Sequence, residues 1–207
     1  MKKGRISKSE IVSACQSGIV SAHQQYLNMS EYWLWSAPEY FITSAIAQSL
    51  MSVNGNKYVT LENKAYDALY DANALGKGKL HSDIRSNGRF DILLWWAKGQ
   101  PRAVIEVKNR VTNITQYEAD IKRIKTVLNR KSIDSSIEFG LFSFFTLAQD
   151  STTTTGTETL QSRFKTIKIN INEILGNEFS ADLVSHIEYC NQEKASWAAA
   201  TILIERA

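Results

Sequence analysis

Two apolar runs joined by a short turn constrain the fold of this chain more than any other feature. Residues 90–96 (FDILLWW) and 102–108 (RAVIEVK) are rich in β-branched and aromatic side chains, and Gly99 and Pro101 mark a turn between them. The pattern predicts a β-hairpin with a largely buried face. Charged residues are costly to bury, yet these runs carry Asp91, Glu106 and Lys108.

The spacing of these charges predicts that they lie together on one face of the hairpin. Side chains two residues apart on a strand point the same way, so Glu106 and Lys108 emerge together, roughly 6–7 Å apart. If the hairpin closes around Lys98 and Gly99, Asp91 lies opposite Glu106, at the roughly 5 Å Cβ separation of a cross-strand pair. The alternative is a surface hairpin with a cross-strand salt bridge, although an exposed face does not need runs as apolar as LLWW and AVIEV.

Two carboxylates at that separation repel each other unless a cation lies between them. Oxygen ligands suit a hard ion such as Mg²⁺, which accepts one or two carboxylates and keeps several waters. Asp91 and Glu106 are therefore the predicted ligands. The Lys108 ammonium can orient and help to deprotonate a water, or stabilise charge on a phosphorane-like transition state. This combination of residue types favours phosphodiester hydrolysis.

The remaining pattern predicts an α/β fold with a mixed sheet and a single domain. That domain has an N-terminal helical extension (1–35), a core (36–175) and a C-terminal helical segment (176–207). Helices are predicted within residues 8–27, 36–51, 63–75, 112–130 and 181–200. Further strands are predicted at 57–62, 137–148 and 163–171, with a basic loop at 76–88 and a threonine-rich loop at 150–162.

The amino-acid composition excludes few classes of function. The chain has 207 residues and is 43% hydrophobic, which is enough for one sizeable core. No window approaches the roughly 20 apolar residues of a membrane span, and the N-terminus lacks the apolar run of a signal peptide. Cys15 and Cys190 are far apart, so a reducing, cytoplasmic location is expected. A net charge of +3 is compatible with a nucleic-acid partner but does not require one.

The central motif resembles that of the PD-(D/E)XK nuclease superfamily, also called restriction-endonuclease-like. Asp91 is followed after fourteen residues by Glu106-Val107-Lys108, and Pro38-Glu39 lies on a preceding predicted helix. The resemblance covers residues 36–148 and implies an αβββαβ core. It also implies that Asp91 and Glu106 bind Mg²⁺ or Mn²⁺ with help from the Val107 carbonyl, and that Lys108 is the catalytic lysine. The sequence departs from the fullest motif because Phe90, and not proline, precedes Asp91.

Three further side chains are candidates for a supporting role in such a site. Glu39 maps to the upstream helical glutamate of the family, but Ser36 and Glu39 also have the spacing of a capping box, which would give Glu39 a purely local role. Glu62 ends a strand-like run and is a rival for the auxiliary carboxylate. The resemblance also makes Gln116, on the next helix, a supporting residue.

Basic residues before the hairpin are candidates for contact with phosphates. They are Lys77, Lys79, Arg85 and Arg89. The later helix is also basic, although a run of charge is usually a solvated face; its cations are Lys122, Arg123, Lys125, Arg130 and Lys131.

The leading hypothesis is a Mg²⁺- or Mn²⁺-dependent endonuclease that hydrolyses DNA. An alternative is a catalytically silent nuclease-like fold used for DNA binding or assembly, and a third is a nuclease directed at RNA. A homodimer is plausible under the first hypothesis because cutting both strands commonly takes two active sites. Recognition sequence and biological pathway have no signal in these residues.

Overall fold

A mixed β-sheet forms the centre of the protein. The computed structural model describes residues 5–55, 57–84, 88–130 and 133–207. Within these residues, six strands form one sheet: β1 (Lys57–Lys64), β2 (Arg89–Trp96), β3 (Pro101–Lys108), β4 (Phe139–Gln149), β5 (Phe179–Cys190) and β6 (Ala195–Arg206). Their order is β1-β2-β3-β4-β6-β5; β3 and β4 are parallel, and every other neighbouring pair is antiparallel.

Helices cover both faces of this sheet. They are α1 (Lys8–Ser30), α2 (Glu39–Ser52), α3 (Ala65–Asp71), α4 (Glu118–Asn129) and α5 (Gly156–Leu175), with 3-10 turns at Leu34–Ser36 and Ile114–Gln116. Helices α1 and α2 pack on one face, against Ile92 and Ile105. Helices α3, α4 and α5 pack on the other, against Leu93 and Val104. Burial on both faces explains why the hairpin strands are nearly continuous apolar runs.

The predicted hairpin is confirmed, with its turn at the predicted place. Ile92 pairs with Ile105, and Leu93 with Val104. The Gly99 amide donates to the Trp96 carbonyl over 3.0 Å, and Gly99 has a φ of 86°, a conformation that glycine adopts without strain. The hairpin therefore has the register that brings the position of Asp91 opposite that of Glu106.

The predicted helices of the N-terminal half are also confirmed, with shifted ends. Helix α1 begins with the expected capping box of Ser7 and Glu10. It continues to Ser30 and packs on α2 and the sheet, so the 1–35 extension contributes to the core. Helix α3 is shorter than predicted at both ends: β1 extends through Lys64, and the helix ends at Asp71.

Two predictions for the C-terminal half are wrong. The predicted strand at 163–171 lies within α5, where Leu160, Phe164, Ile167 and Ile171 are buried at helical spacing and Thr155 and Glu158 form a capping box. Helix α5 begins at Gly156, so it also takes up half of the predicted threonine-rich loop. Alternation over a few residues was thus a weaker signal than the longer helical period.

The predicted C-terminal helical segment (176–207), including the helix at 181–200, is instead the β5–β6 hairpin. Alanine favours helices, and residues 198–200 are all alanine. However, β6 lies between β4 and β5, and its Ala198, Ala199 and Ala200 are fully buried there. Pairing of β6 with a strand on each side outweighs the helix propensity of its alanines.

None of the helices in the described ranges combines the length and apolar content that crossing a membrane requires.

We predict that Gly18→Ala destabilises the protein, because a Cβ on Gly18 would lie 2.6 Å from the Ile46 Cα where α1 crosses α2. Overpacking of this kind costs about 1–3 kcal/mol, more than the roughly 1 kcal/mol that alanine gains over glycine in a helix. The measurement is thermal unfolding by circular dichroism. Ser17→Ala, at an exposed position of the same helix, is the control and should leave the Tm equal or slightly higher. A Gly18→Ala variant as stable as the wild type would contradict this packing.

Candidate active site

The β2–β3 hairpin brings Asp91 and Glu106 together on the face that α4 covers. The Val107 amide donates to Asp91 Oδ2 over 2.7 Å, which fixes the Asp91 side chain across the strand pair. Because Ile92 pairs with Ile105 in an antiparallel register, Asp91 and Glu106 occupy facing positions on neighbouring strands. The predicted juxtaposition of these two residues is therefore present.

Lys108 lies between two carboxylates that belong to different helices. Its Nζ is 3.1 Å from Glu39 Oε1, in the first turn of α2, and 3.6 Å from Asp120 Oδ2, in α4. Glu39 Oε2 also accepts a hydrogen bond from the Asn109 amide over 3.1 Å. Helices on opposite faces of the sheet thus hold the end of β3 from both sides.

The capping box that offered Glu39 a local role does not form. Pro38 is the N-cap of α2 and makes no side-chain capping bond, while Ser36 belongs to the preceding 3-10 turn. Both oxygens of the Glu39 carboxylate contact the end of β3 instead. The structure therefore places Glu39 beside Lys108.

Glu106 has a second neighbour, the guanidinium of Arg123 in α4. Arg123 Nη1 lies 3.1 Å from Glu106 Oε1, but Glu106 Oε1 and Arg123 Nε have no hydrogen-bond partner of good geometry among the described residues. Arg123 is held by a 2.7 Å bond from Nη2 to the Arg89 carbonyl and by its position 4.7 Å from the centre of the Phe90 ring. The Glu106 side chain is only 2% exposed, so its charge is compensated by Arg123 and not by solvent.

The electrostatics of this group follow from an excess of negative charge. Four carboxylates (Asp91, Glu106, Glu39 and Asp120) face two cations (Lys108 and Arg123), a formal excess of two negative charges. Burial, reinforced by neighbouring carboxylates, raises the pKa of Asp91 and Asp120 and raises that of Glu106 well above its usual range. Burial opposes the charged form of Lys108, but Asp120 and Glu39 outweigh it and raise the pKa of the ammonium. We call these six residues the charge cluster.

The charge cluster fits a hard divalent cation in donor type and in charge. The donors are carboxylate oxygens, Glu106 Oε1 lacks a hydrogen-bond partner in the described chain, and the formal excess of charge is what one such ion neutralises. The number of side-chain ligands is small, however. Across residues 5–55, 57–84, 88–130 and 133–207, no three Asp, Glu, His or Cys side chains are grouped so that they can hold one ion. Asp91 and Glu106 would thus be the side-chain ligands, and Arg123 would share Glu106 with the metal.

Two of the predicted auxiliary residues lie outside the charge cluster. Gln116 Oε1 accepts bonds from the amides of Thr112 and Asn113, at 2.7 and 3.1 Å, and so closes the turn before α4. Glu62 has a φ of 54°, and its carbonyl accepts a 2.8 Å bond from Arg89 Nη1. Its side chain has no hydrogen bond or ion pair within the described residues.

The predicted phosphate contacts fall into three groups. Lys77 and Lys79 are exposed on the loop after α3. Arg89 is exposed but donates to the Glu62 carbonyl. Arg85 lies outside the described residues, as does Lys131 of the basic helix.

The other cations of the predicted basic helix bind the protein itself. Lys122 pairs with Glu118, Lys125 donates to the Ile174 carbonyl, and Arg130 donates to the Leu75 carbonyl. Arg123 belongs to the charge cluster. This helix is therefore a packed element and not a free basic surface.

Sequence reasoning missed Asp120 and Asn109 and left Arg123 as one of several helical cations. Asp120 and Arg123 directly precede Ile121 and Ile124, which belong to the buried apolar stripe of α4. Their position at the border of that stripe was the sequence signal that could have identified them as site residues. Asn109 follows Lys108 directly. Its Nδ2 donates to the carbonyls of Leu34 and Ala37, both at 2.9 Å, and so ties the 3-10 turn before α2 to the end of β3.

A scan against protein-family models, a search of curated proteins and a search of solved structures each found no match. Any inference about function therefore rests on the geometry and chemistry of the charge cluster.

We predict that Asp91→Asn raises the Tm of the metal-free protein at pH 8. Asparagine keeps an oxygen for the Val107 amide but removes a charge from beside Glu106. Because the folded-state pKa of Asp91 is raised, its contribution to stability is present below its unfolded pKa, roughly 4, and is lost as the pH rises through the folded value. The gain should thus be absent near pH 4 and reach a few degrees at pH 8, which corresponds to about 1 kcal/mol.

Differential scanning fluorimetry in EDTA across this pH range measures the effect. Asp67→Asn, at an exposed position of α3, is the control and should show no comparable pH-dependent gain. A lower Tm for Asp91→Asn at pH 8 would mean that the Asp91 carboxylate stabilises the fold.

Proposed function

We propose that this protein is a Mg²⁺- or Mn²⁺-dependent endonuclease of the PD-(D/E)XK type that hydrolyses DNA phosphodiester bonds. The observation that carries the proposal is the convergence of Asp91, Glu106 and Lys108 on one face of the hairpin, with Glu39 of α2 in contact with Lys108. A lysine beside closely spaced buried carboxylates is the arrangement expected for metal-assisted hydrolysis of a phosphate ester.

The order of the elements supports the same proposal. From α2 to β4 the chain runs helix, strand, strand, strand, helix, strand, as the restriction-endonuclease-like αβββαβ core would require, with the short α3 inserted between β1 and β2. Helices α2 and α4 lie on opposite faces of the sheet and both reach Lys108. The sequence motif and this chain order are independent features that favour the same class.

The proposed roles of the residues follow from their contacts. A divalent ion held by Asp91 and Glu106, with the Val107 carbonyl as a further proposed ligand, would supply Lewis-acid stabilisation of charge on the phosphate. Lys108 would orient the attacking water or offset negative charge in the transition state. Glu39 and Asp120 keep its ammonium charged and in place.

A catalytically silent DNA-binding or assembly subunit is the second candidate, and a specific observation favours it. Glu106 is almost fully buried and faces Arg123, while Lys108 is already paired with two carboxylates. The same charges can therefore join α2 and α4 to the sheet without any chemistry. Metal dependence separates the two candidates, because only the enzyme requires an ion for its activity.

We predict that the wild type nicks or cuts DNA with Mg²⁺ or Mn²⁺ and not with EDTA, and that Lys108→Ala lowers the rate by about 10²–10⁴-fold, the usual contribution of a positioned proton-transfer group. Asp91→Ala should abolish the metal-dependent activity. The assay uses supercoiled plasmid and linear DNA, with a labelled RNA of the same sequence as competitor. Lys98→Ala, in the exposed turn of the same hairpin, is the matched control and should retain the wild-type rate.

Isothermal titration of the wild type and of Asp91→Ala with Mn²⁺ provides a readout that does not depend on turnover. Binding by the wild type alone, together with cleavage, supports the enzyme. Absence of cleavage of any substrate, with DNA binding unchanged by EDTA, would establish the silent subunit instead. Wild-type cleavage by Lys108→Ala would remove Lys108 from the mechanism.

A further inference from the structure

Arg123 is the one side-chain cation that forms an ion pair with Glu106 in the described part of the chain. Its Nη1 lies 3.1 Å from Glu106 Oε1, and the side chains of Arg123 and Glu106 are 13% and 2% exposed. Solvent therefore screens this pair weakly, and the attraction between the two charges is stronger than at an exposed site.

The contact between Glu106 and Arg123 is an ion pair and not a well-formed hydrogen bond. Glu106 Oε1 and Arg123 Nε are buried, and neither has a hydrogen-bond partner within the described residues. A buried carboxylate oxygen that accepts no hydrogen bond is poorly satisfied by the protein alone. Glu106 Oε1 is therefore available to a divalent ion, and the guanidinium of Arg123 competes with that ion for it.

Contacts with β2 hold the guanidinium beside the two predicted metal ligands. Arg123 Nη2 donates to the Arg89 carbonyl over 2.7 Å, and the guanidinium lies 4.7 Å from the centre of the Phe90 ring. Arg89 and Phe90 directly precede Asp91, the other predicted ligand. The fold itself thus places a positive charge next to the carboxylates that would bind a metal.

The guanidinium also has space, and a second carboxylate, on its other side. Arg123 and Asp120 line the same cavity of about 390 Å³. They are three residues apart on α4, a spacing at which opposite charges on a helix can pair. A metal ion that takes Glu106 Oε1 can therefore displace the guanidinium towards Asp120, where its charge is again compensated.

We propose that Arg123 is the resident counter-ion of the metal site: it neutralises Glu106 while no metal is bound and competes with the divalent ion for Glu106 Oε1. Without Arg123, the four carboxylates of the charge cluster would face Lys108 alone, so the formal excess of negative charge would rise from two to three. A divalent cation would then be attracted more strongly. This inference rests on the proposed function and identifies the residue that sets its metal affinity.

Calorimetric titration with Mn²⁺ at pH 8 tests the inference without turnover. We expect Arg123→Gln to bind Mn²⁺ at least about tenfold more tightly than the wild type, because the competing charge is gone. Arg123→Lys keeps the charge and should bind Mn²⁺ more weakly than Arg123→Gln. The matched control is Lys122→Gln, which removes a cation that pairs with Glu118 and should change the affinity less than about twofold.

Thermal unfolding of the same proteins gives a second readout. In EDTA, Arg123→Gln should have a lower Tm than the wild type, because the buried Glu106 carboxylate loses its counter-ion. Excess Mn²⁺ should raise the Tm of Arg123→Gln more than that of the wild type. A tenfold tighter site gains about 1.4 kcal/mol at the same metal concentration, which is about 3–6 °C for a chain of this size. If Arg123→Gln does not fold, Arg123→Met replaces it, because it keeps an aliphatic stem over the Phe90 ring.

The outcomes separate this inference from the catalytic proposal. Unchanged or weaker Mn²⁺ binding by Arg123→Gln, with binding by the wild type, would overturn the role of Arg123 and leave the proposed nuclease standing. An equal gain in affinity in Lys122→Gln would also overturn that role, because the effect would then come from the net charge of the helix. Mn²⁺ binding by Arg123→Gln without cleavage by the wild type would support the role of Arg123 and favour the silent subunit. Absence of Mn²⁺ binding by the wild type and by every Arg123 variant would overturn the inference, whether or not DNA is cleaved.

Discussion

The burial of charged side chains in a sheet that is covered on both faces is the constraint on which the rest of this structure depends. Asp91 and Glu106 lie opposite each other between apolar neighbours that pack against helices on both sides. The Val107 amide holds the Asp91 carboxylate in place, and burial keeps the pKa of both acids raised. A protein that only needed a stable hairpin would gain by replacing them with apolar residues.

Helices α2 and α4 supply the complementary charges. Glu39 approaches Lys108 from the first turn of α2, while Asp120 and Arg123 of α4 reach Lys108 and Glu106. The compensation is incomplete, since Glu106 Oε1 and Arg123 Nε have no hydrogen-bond partner in the described chain. Stability sacrificed in this way is common where a site must accept a further charged group, and a cavity of about 390 Å³ lies against Asp120 and Arg123 of α4.

Prediction from the sequence succeeded where local signals agreed with the tertiary structure. The turn at Gly99, the capping box at Ser7 and the apolar stripe of α4 each predicted an element that forms. Prediction failed where local signals and the tertiary structure conflicted: the residues that alternate at 163–171 lie in a helix, and the alanines at 198–200 lie in a strand. Asp91, Glu106, Lys108 and Glu39 were predicted from the motif. Asp120 had a weaker signal, its position at the border of the buried apolar stripe of α4.

The sequence by itself determined the hairpin and the face on which its charges emerge, because strand periodicity and turn chemistry act over a few residues. Only the tertiary structure decided the environment of those charges. Which helix residues meet Lys108, whether Glu39 caps its own helix or reaches β3, and whether the C-terminal segment pairs with β4 all depend on contacts between distant parts of the chain. Such contacts are fixed by burial and pairing in the assembled sheet, which no local pattern encodes.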